Sequence, residues 1–210
     1  MSQIVDLAFP VSSAATMPAD HGYALYGAIS RMVPHLHELA GIGIHPIAGT
    51  QVGNRQLQIN ERSRLIIRCS ADQIPSVIAL SGKSLGLAEV RLRVGVPQVR
   101  ALVPATALRS RLVTIKLPVA SASDIDEANF LEAVRQQLGD LGISQQATAA
   151  LGKRRTLNVK GKEVVGYEMI IEGLSVKESL DLQRQGVGGR RKMGCGIFVA
   201  FKSVEPEGHG

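Results

Sequence analysis

One order of elements can be read twice along this chain: strand, helix, strand, strand, helix, strand. In the first pass, Ile4–Val11 is a short apolar segment with strand character. Asp20 stands where a helix cap belongs, and Leu25, Ile29, Met32 and Leu36 recur behind it at helical spacing. Pro34 is expected to kink or break that helix near its end. Gln56–Ile59 and Arg64–Cys69 read as strands, Ala71–Leu80 as a short helix, and Glu89–Val94 as a strand with alternating charged and apolar residues. The second pass restarts at Arg111–Leu117. A helix follows over Asp124–Leu141, with Phe130, Leu131, Val134 and Leu138 on one face. Thr156–Val159 and Val164–Ile171 read as strands joined by a turn at Lys160–Lys162, followed by a helix at Val176–Arg184 and a last strand at Ile197–Phe201.

This order predicts an α+β fold of two tandem ferredoxin-like (RNA-recognition-motif-like) domains. The repeat is one of element order, not of sequence. At 210 residues the chain has room for two domains of about 100 residues each. The expected division is a first domain over 1–95, a linker over 96–109 containing Pro97 and Pro104, a second domain over 110–205 and a frayed tail over 206–210.

Composition narrows the function classes. Hydrophobic residues make up 45% of the chain, enough for a real core. No run of 18 apolar residues exists to span a membrane, and the N-terminus lacks the pattern of a secretory signal. Two cysteines without a pattern, Cys69 and Cys195, argue against a disulfide framework or a four-ligand zinc site and for a reducing cytoplasm. The net charge of +6 favours an anionic partner, although ordinary solubility charge gives the same number. With three Tyr, four Phe and no Trp, base stacking on aromatic platforms is a poor candidate mode.

The stretch GVGGRRKMGCGIFVAF, residues 186–201, admits three motif readings. A dinucleotide fingerprint fits Gly186 and Gly188 but meets Arg191 where the third glycine belongs. An RNA-recognition signature is echoed from Lys192 to Phe201, with the wrong spacing and Cys195 near the place of a stacking aromatic. The pattern G-x-G-x5-G-x-G fits Gly186, Gly188, Gly194 and Gly196 throughout, with Gly189 beside them. Such a loop can cradle phosphate oxygens on successive backbone N–H groups while Arg190, Arg191 and Lys192 meet the same anion. It can equally be a tight turn that packs the last helix against the sheet. Two other motifs fail. Ser81-Gly82-Lys83-Ser84 lacks the earlier glycine of a phosphate-binding loop, since residue 77 is Val. His35-x-His37 has no Cys or carboxylate cluster to complete a metal site, so neither metal nor cofactor is expected.

Together, GGRRKMGCGIF, SRLVTIK, DHGYALY and HLHE resemble the CRISPR-associated endoribonuclease family (Cas six) of the repeat-associated RNA-binding superfamily, and within it the myxobacterial-type (type I-MYXAN) branch. The resemblance runs from Ile4 to Phe201 and implies metal-independent cleavage of precursor CRISPR RNA within its repeats. A ribose 2′-OH would attack the phosphate, leaving 2′,3′-cyclic phosphate and 5′-OH ends. It further implies that the protein stays on the 3′ hairpin of the repeat RNA and joins the backbone subunits of a type I surveillance complex. A non-catalytic hairpin-binding subunit of the same complex is the alternative, and a generic two-domain RNA-binding protein a third reading.

The resemblance points first to His37 as the catalytic group, with Tyr26 and Ser30 in the neighbourhood of its partner. His45 follows on the next loop, and His21 is placed either to act or to hold the helix start. On an unbroken helix, Tyr23, Tyr26, Ser30 and His37 would share one stripe. RNA would be held by the second domain. The candidates are Arg111 and Lys116 with neighbouring Arg109, Arg154 and Arg155 with Lys153, Lys160 with Lys162, and the loop residues Gly186, Gly188, Gly189, Arg190, Arg191, Lys192, Gly194 and Gly196.

Overall fold

A computed structural model describes residues 2–87, 89–117 and 126–201. The expected helix start at Asp124 and the tail with His209 lie outside the described residues. The strands in chain order are β1 Ile4–Ser12, β2 Met17–Pro18, β3 Gly43–Ile44, β4 Thr50–Gln51, β5 Gln56–Gln58, β6 Arg64–Ser70, β7 Ser84–Leu87, β8 Val90–Val94, β9 Gln98–Ala101, β10 Ala107–Val113, β11 Thr148–Val159, β12 Lys162–Glu172 and β13 Val199–Ala200. The helices are α1 Gly22–Met32, α2 Ile74–Ile78, α3 Glu127–Asp140 and α4 Val176–Gln185.

The first large sheet runs β3-β6-β1-β8-β7, with β9 paired to the N-terminal part of β1. The second runs β11-β12-β10-β13. Numbered within each half, both contain the order 2-3-1-4, all antiparallel, which is the ferredoxin-like arrangement. In β1 the residues Val5, Leu7, Phe9 and Val11 face the first core, where they meet Leu25 and Ile29 of α1 and Leu65 and Ile67 of β6. The second core joins Leu108, Phe130, Val134, Tyr167, Met169, Leu182 and Phe198. Phe130 and Tyr167 meet edge to face, centroids 5.0 Å apart.

Several local expectations shift. The alternating RLVTIKL pattern marks only the end of a strand that begins at Ala107, and β9 occupies part of the stretch read as a linker. β11 and β12 extend well beyond their predicted bounds and form a long hairpin, with Lys160 and Gly161 both at positive φ in its turn. The predicted helix 71–80 divides into a 3-10 turn, Ala71–Gln73, and the short α2, and the last strand shrinks to two residues.

The two halves are tied together by a buried arginine. Arg68 on β6 makes a bidentate pair with Asp6 on β1, at 2.8 and 2.9 Å. Its remaining Nη1 donates to the carbonyls of Gln183 and Phe198 in the second half, at 2.9 and 2.8 Å. A cation 1% exposed is tolerated only when its donors are matched in this way. Among the described residues no helix is long and apolar enough to cross a membrane.

Candidate functional site

The chain leaves α1 at Met32, and Pro34 is the reason. A residue before proline is pushed out of the helical region, and Val33 sits at φ −126°, ψ 81°. Pro34 then opens a 3-10 turn, Pro34–His37. The expected stripe of Tyr23, Tyr26, Ser30 and His37 on one unbroken helix therefore does not form. Leu36 turns into the core, while His37 and His35 stay exposed. The imidazole of His37 is pinned at one nitrogen, where Nδ1–H donates to Pro34 O at 2.8 Å. Its Nε2 lies 3.5 Å from the Glu38 carboxylate on the open side.

The glycine loop of the second half meets this turn. Lys192 Nζ donates to the backbone carbonyl of His37 at 2.7 Å. Around the contact lies an open cleft of about 450 Å³, lined by Tyr26, His37, Glu38 and Gly41 on one side and by Gly188–Met193 on the other. Partial burial lowers the pKa of Lys192 from its ordinary value. The loop residues read for RNA binding and the histidine read for catalysis thus share one site.

The glycine N–H groups of the loop are already engaged within the protein. The N–H groups of Gly186, Gly188, Gly189, Gly194 and Gly196 all donate within the protein, to Leu182 O, Gln137 Oε1, Thr114 O, Arg191 O and Leu112 O respectively. The repeated pattern has a packing cause instead. Gly186 and Gly196 are both at positive φ, and a Cβ on Gly186 would run into the carbonyl oxygen of Gly196, while one on Gly196 would run into that of Val187. Gly188 abuts the Thr114 carbonyl in the same manner. The spacing G-x-G-x5-G-x-G is what lets the two arms of this loop lie against each other and against Thr114, with Gly194 against Pro46.

Of the three cations in the loop, Arg190 is exposed, at φ 61°. Arg191 turns inward instead. Its Nε and Nη2 are buried and, among the described residues, without a hydrogen-bond partner, Nη2 lies beside Gly43, and burial followed by the charge of Arg68 brings its pKa down to about 10. Arg191 is therefore still charged at neutral pH; it is half-buried and lines the cleft, with Nε and Nη2 turned inward beneath it.

Two other proposed catalytic residues, His21 and His45, are buried, and so is the hydroxyl of Ser30. His21 is 2% exposed, with Nδ1–H donating to Pro18 O at 2.9 Å and Nε2 accepting from Ile47 N–H at 2.9 Å. Both nitrogens are spent on the fold, and burial above all lowers its pKa. Asp20 does not cap α1: its carboxylate accepts from Asn158 N–H at 2.9 Å, linking the helix start to the β11–β12 hairpin. His45 is 7% exposed, its Nε2 3.8 Å from Asp6 and without a hydrogen bond among the described residues, and burial with the charge of Arg68 pushes its pKa down to about 3. Ser30 Oγ is buried and has no hydrogen-bond partner among the described residues. Only Tyr26 and His37 of the five line the cleft.

The second half offers a separate set of exposed cations: Arg111 on β10, Lys116 beyond it, Lys153 and Arg154 on β11, and Lys160 and Lys162 at the hairpin tip. Arg155 and Arg109 are held differently. Arg155 Nη2 donates to Glu168 Oε2 at 3.2 Å, Arg109 pairs with the other carboxylate oxygen, and Arg109 also lies over the Phe201 ring at 5.5 Å. Glu168 went unread in the sequence, although a lone carboxylate in the apolar run GYEMII is a signal for such a pair. Among the described residues no three of His, Cys, Asp and Glu gather as a metal site.

Comparison with known proteins gives consistent matches. The Cas6 Crispr family matches residues 5–203. The CRISPR-associated endonuclease Cas6 of Myxococcus xanthus (strain DK1622) is 38% identical over 207 residues, covering 98% of this chain and 86% of that protein. Among solved structures, a CRISPR associated protein Cas6 superposes with a TM-score of 0.68 at 13% identity, covering 96% of this chain and 100% of that one. A Cas6-related protein from Pyrococcus furiosus gives 0.67 at 13% identity, covering 97% and 100%.

Proposed function

The chain belongs to the Cas6 family, and from that premise we propose that it is a metal-independent endoribonuclease that cuts precursor CRISPR RNA within its repeats. After cutting it stays on the 3′ hairpin and serves as a subunit of a type I RNA-guided surveillance complex in the cytoplasm. The observation that supports this reading best is the meeting of His37 and Lys192 in one open cleft.

The chemistry follows from the hydrogen bonds of the site. With Nδ1–H given to Pro34 O, the neutral imidazole of His37 carries its lone pair on Nε2, facing solvent. That nitrogen is placed to take the proton of a ribose 2′-OH. Glu38, 3.5 Å away, offsets the charge of the resulting imidazolium. The 2′-oxygen attacks the adjacent phosphorus and the 5′-oxygen leaves, giving 2′,3′-cyclic phosphate and 5′-OH ends. An ammonium has three N–H donors. Lys192 spends one on His37 O, and the others face the charge that develops on the phosphoryl oxygens. Tyr26, on the cleft wall, is the group placed to hand a proton to the leaving oxygen. Arg190, Arg111, Lys116, Arg154 and Lys160 hold the RNA backbone, while His21, His45, Ser30 and Arg191 support the site from within.

The test is cleavage of labelled repeat RNA in EDTA. Wild-type protein cuts and leaves a cyclic phosphate. His37→Ala binds the RNA equally well and cuts about 10²–10⁴-fold more slowly. Loss of cutting on chelation, or full activity of the variant, overturns the mechanism. Binding without any cutting by the wild type would assign the chain the role of a non-catalytic hairpin-binding subunit.

A further inference from the structure

The N-terminal sheet carries a second basic surface, on the side away from its core. In β8, Val90, Leu92 and Val94 are buried, which leaves Arg91 and Arg93 on the open face. Strand register sets their neighbours. Ser12 on β1 and Ser84 on β7 flank Arg93 on either side, so a row Ser12–Arg93–Ser84 crosses three strands. One step along, Arg91 lies opposite Gly86, where no heavy atom stands within 4 Å of a built Cβ. Two adjoining grooves, of about 390 and 550 Å³, share Ser12, Ser84 and Arg93. No acidic and no aromatic side chain lines either groove. Among the described residues neither Arg91 nor Arg93 forms an ion pair.

We propose that this face binds the sugar–phosphate backbone of a single-stranded RNA segment flanking the part held in the cleft. The inference rests on the reading of the protein as an RNA-processing enzyme. Two arginines on alternate residues of one strand stand about 6.7 Å apart, close to the separation of successive phosphates on an extended strand. Guanidinium groups with hydroxyls beside them match phosphodiester oxygens. Without an aromatic ring there is no stacking platform, so the contact reads charge and not base identity. The face is also joined to the cleft: Arg31, in the last turn of α1, donates to Gly86 O on β7 at 2.8 Å, and the same helix leads directly into the His37 turn. β7 is the edge strand of its sheet, so a strand leaving the cleft along α1 reaches the β7 edge and passes around it to the open face of β8.

The experiment compares a minimal repeat hairpin with the same hairpin carrying ten unpaired nucleotides on either side, uridines in one set and adenines in another. Wild-type protein is expected to bind the flanked RNAs about 10-fold more tightly, equally for both sequences, with a salt dependence steeper by about 1.4 for two added phosphate contacts. Arg91→Gln/Arg93→Gln is expected to bind flanked RNA no better than the bare hairpin, with cleavage of the hairpin and thermal unfolding unchanged. Flanked RNA bound by the variant as by wild type overturns the proposal, as does an equal loss for both RNAs. So does a variant that keeps flanked RNA but weakens binding of a decaglutamate peptide, which would give the face to an acidic protein. If wild-type protein binds neither RNA, the RNA-processing reading itself falls and this inference with it.

Discussion

Lys192 Nζ donates a 2.7 Å hydrogen bond to the backbone carbonyl of His37. Two residues 155 positions apart in the chain are thereby fixed in one cleft, one from each half of the molecule. The bond holds the 3-10 turn in place and, in the mechanism proposed, leaves the ammonium facing the reacting phosphate. Lys192→Ala is therefore expected to slow single-turnover cleavage of repeat RNA by about 10²–10³-fold, as removal of one charge-stabilising donor does elsewhere. Its RNA affinity should fall by less than 10-fold, in line with one lost phosphate contact. Measuring binding and single-turnover rate on the same RNA separates the two. An affinity loss as large as the rate loss would make Lys192 a binding residue only.

Two glycines of the same loop should answer differently to the same substitution. Gly196 has φ +65° and its Cβ would collide with the Val187 carbonyl, so Gly196→Ala is expected to cost at least about 1–3 kcal/mol, read as a fall of several degrees in Tm. Gly189 has nothing within 4 Å of a built Cβ and is not at positive φ. Gly189→Ala should leave Tm and RNA affinity unchanged, to within about 0.5 kcal/mol. A loss of RNA affinity in Gly189→Ala at constant Tm would restore the phosphate-cradle reading of the loop.

The sequence made the double ferredoxin-like order legible because apolar alternation in strands such as Glu89–Val94 and the helical spacing of Phe130, Val134 and Leu138 are set by core burial alone. It was less informative wherever a contact made only in the folded chain decides a residue's role. Arg191 and Arg190 are neighbours of the same type, yet one turns its guanidinium inward at the cleft and the other is exposed. His21 and His45 stand as further candidates behind His37 until Ile47 N–H and Arg68 are seen beside them. The glycine spacing was visible, but its reason was not, since the carbonyls it accommodates belong to the loop's opposite arm and to Thr114, just past β10. Pro34 was the exception among the site residues: a local steric rule foretold the break before His37.

The contrast between Arg190 and Arg191 gives a further test. Arg190→Ala should reduce the slope of log affinity against log salt by about 0.7–0.9, the loss of one phosphate contact. Arg191→Ala should leave the slope alone and lower Tm, because it empties a buried interface between the halves. Arg190→Gly adds a sharper point. Arg190 sits in the left-handed region, at φ 61°, so glycine there should raise stability by about 1 kcal/mol while RNA binding weakens. Equal slopes for Arg190→Ala and wild type would remove Arg190 from the RNA interface.

His45 makes stability depend on pH in a defined window. Its folded pKa, about 3, lies below the 6.5 of an unfolded chain, because burial and the nearby Arg68 charge disfavour the imidazolium. The unfolded state therefore binds the proton first as pH falls. The contribution is fully present above about pH 6.5 and is lost progressively between pH 6.5 and 3, at up to about 1.4 kcal/mol per pH unit. His21, whose pKa is also lowered, steepens the loss in the upper part of that window. His45→Gln removes the titrating group from the Asp6–Arg68 interface. In urea unfolding at pH 7, 6, 5 and 4, the variant should begin less stable than wild type and show the shallower decline. Parallel curves for the two proteins would mean that the fold accommodates a charged His45, and that the Asp6–Arg68 pair does not exclude it.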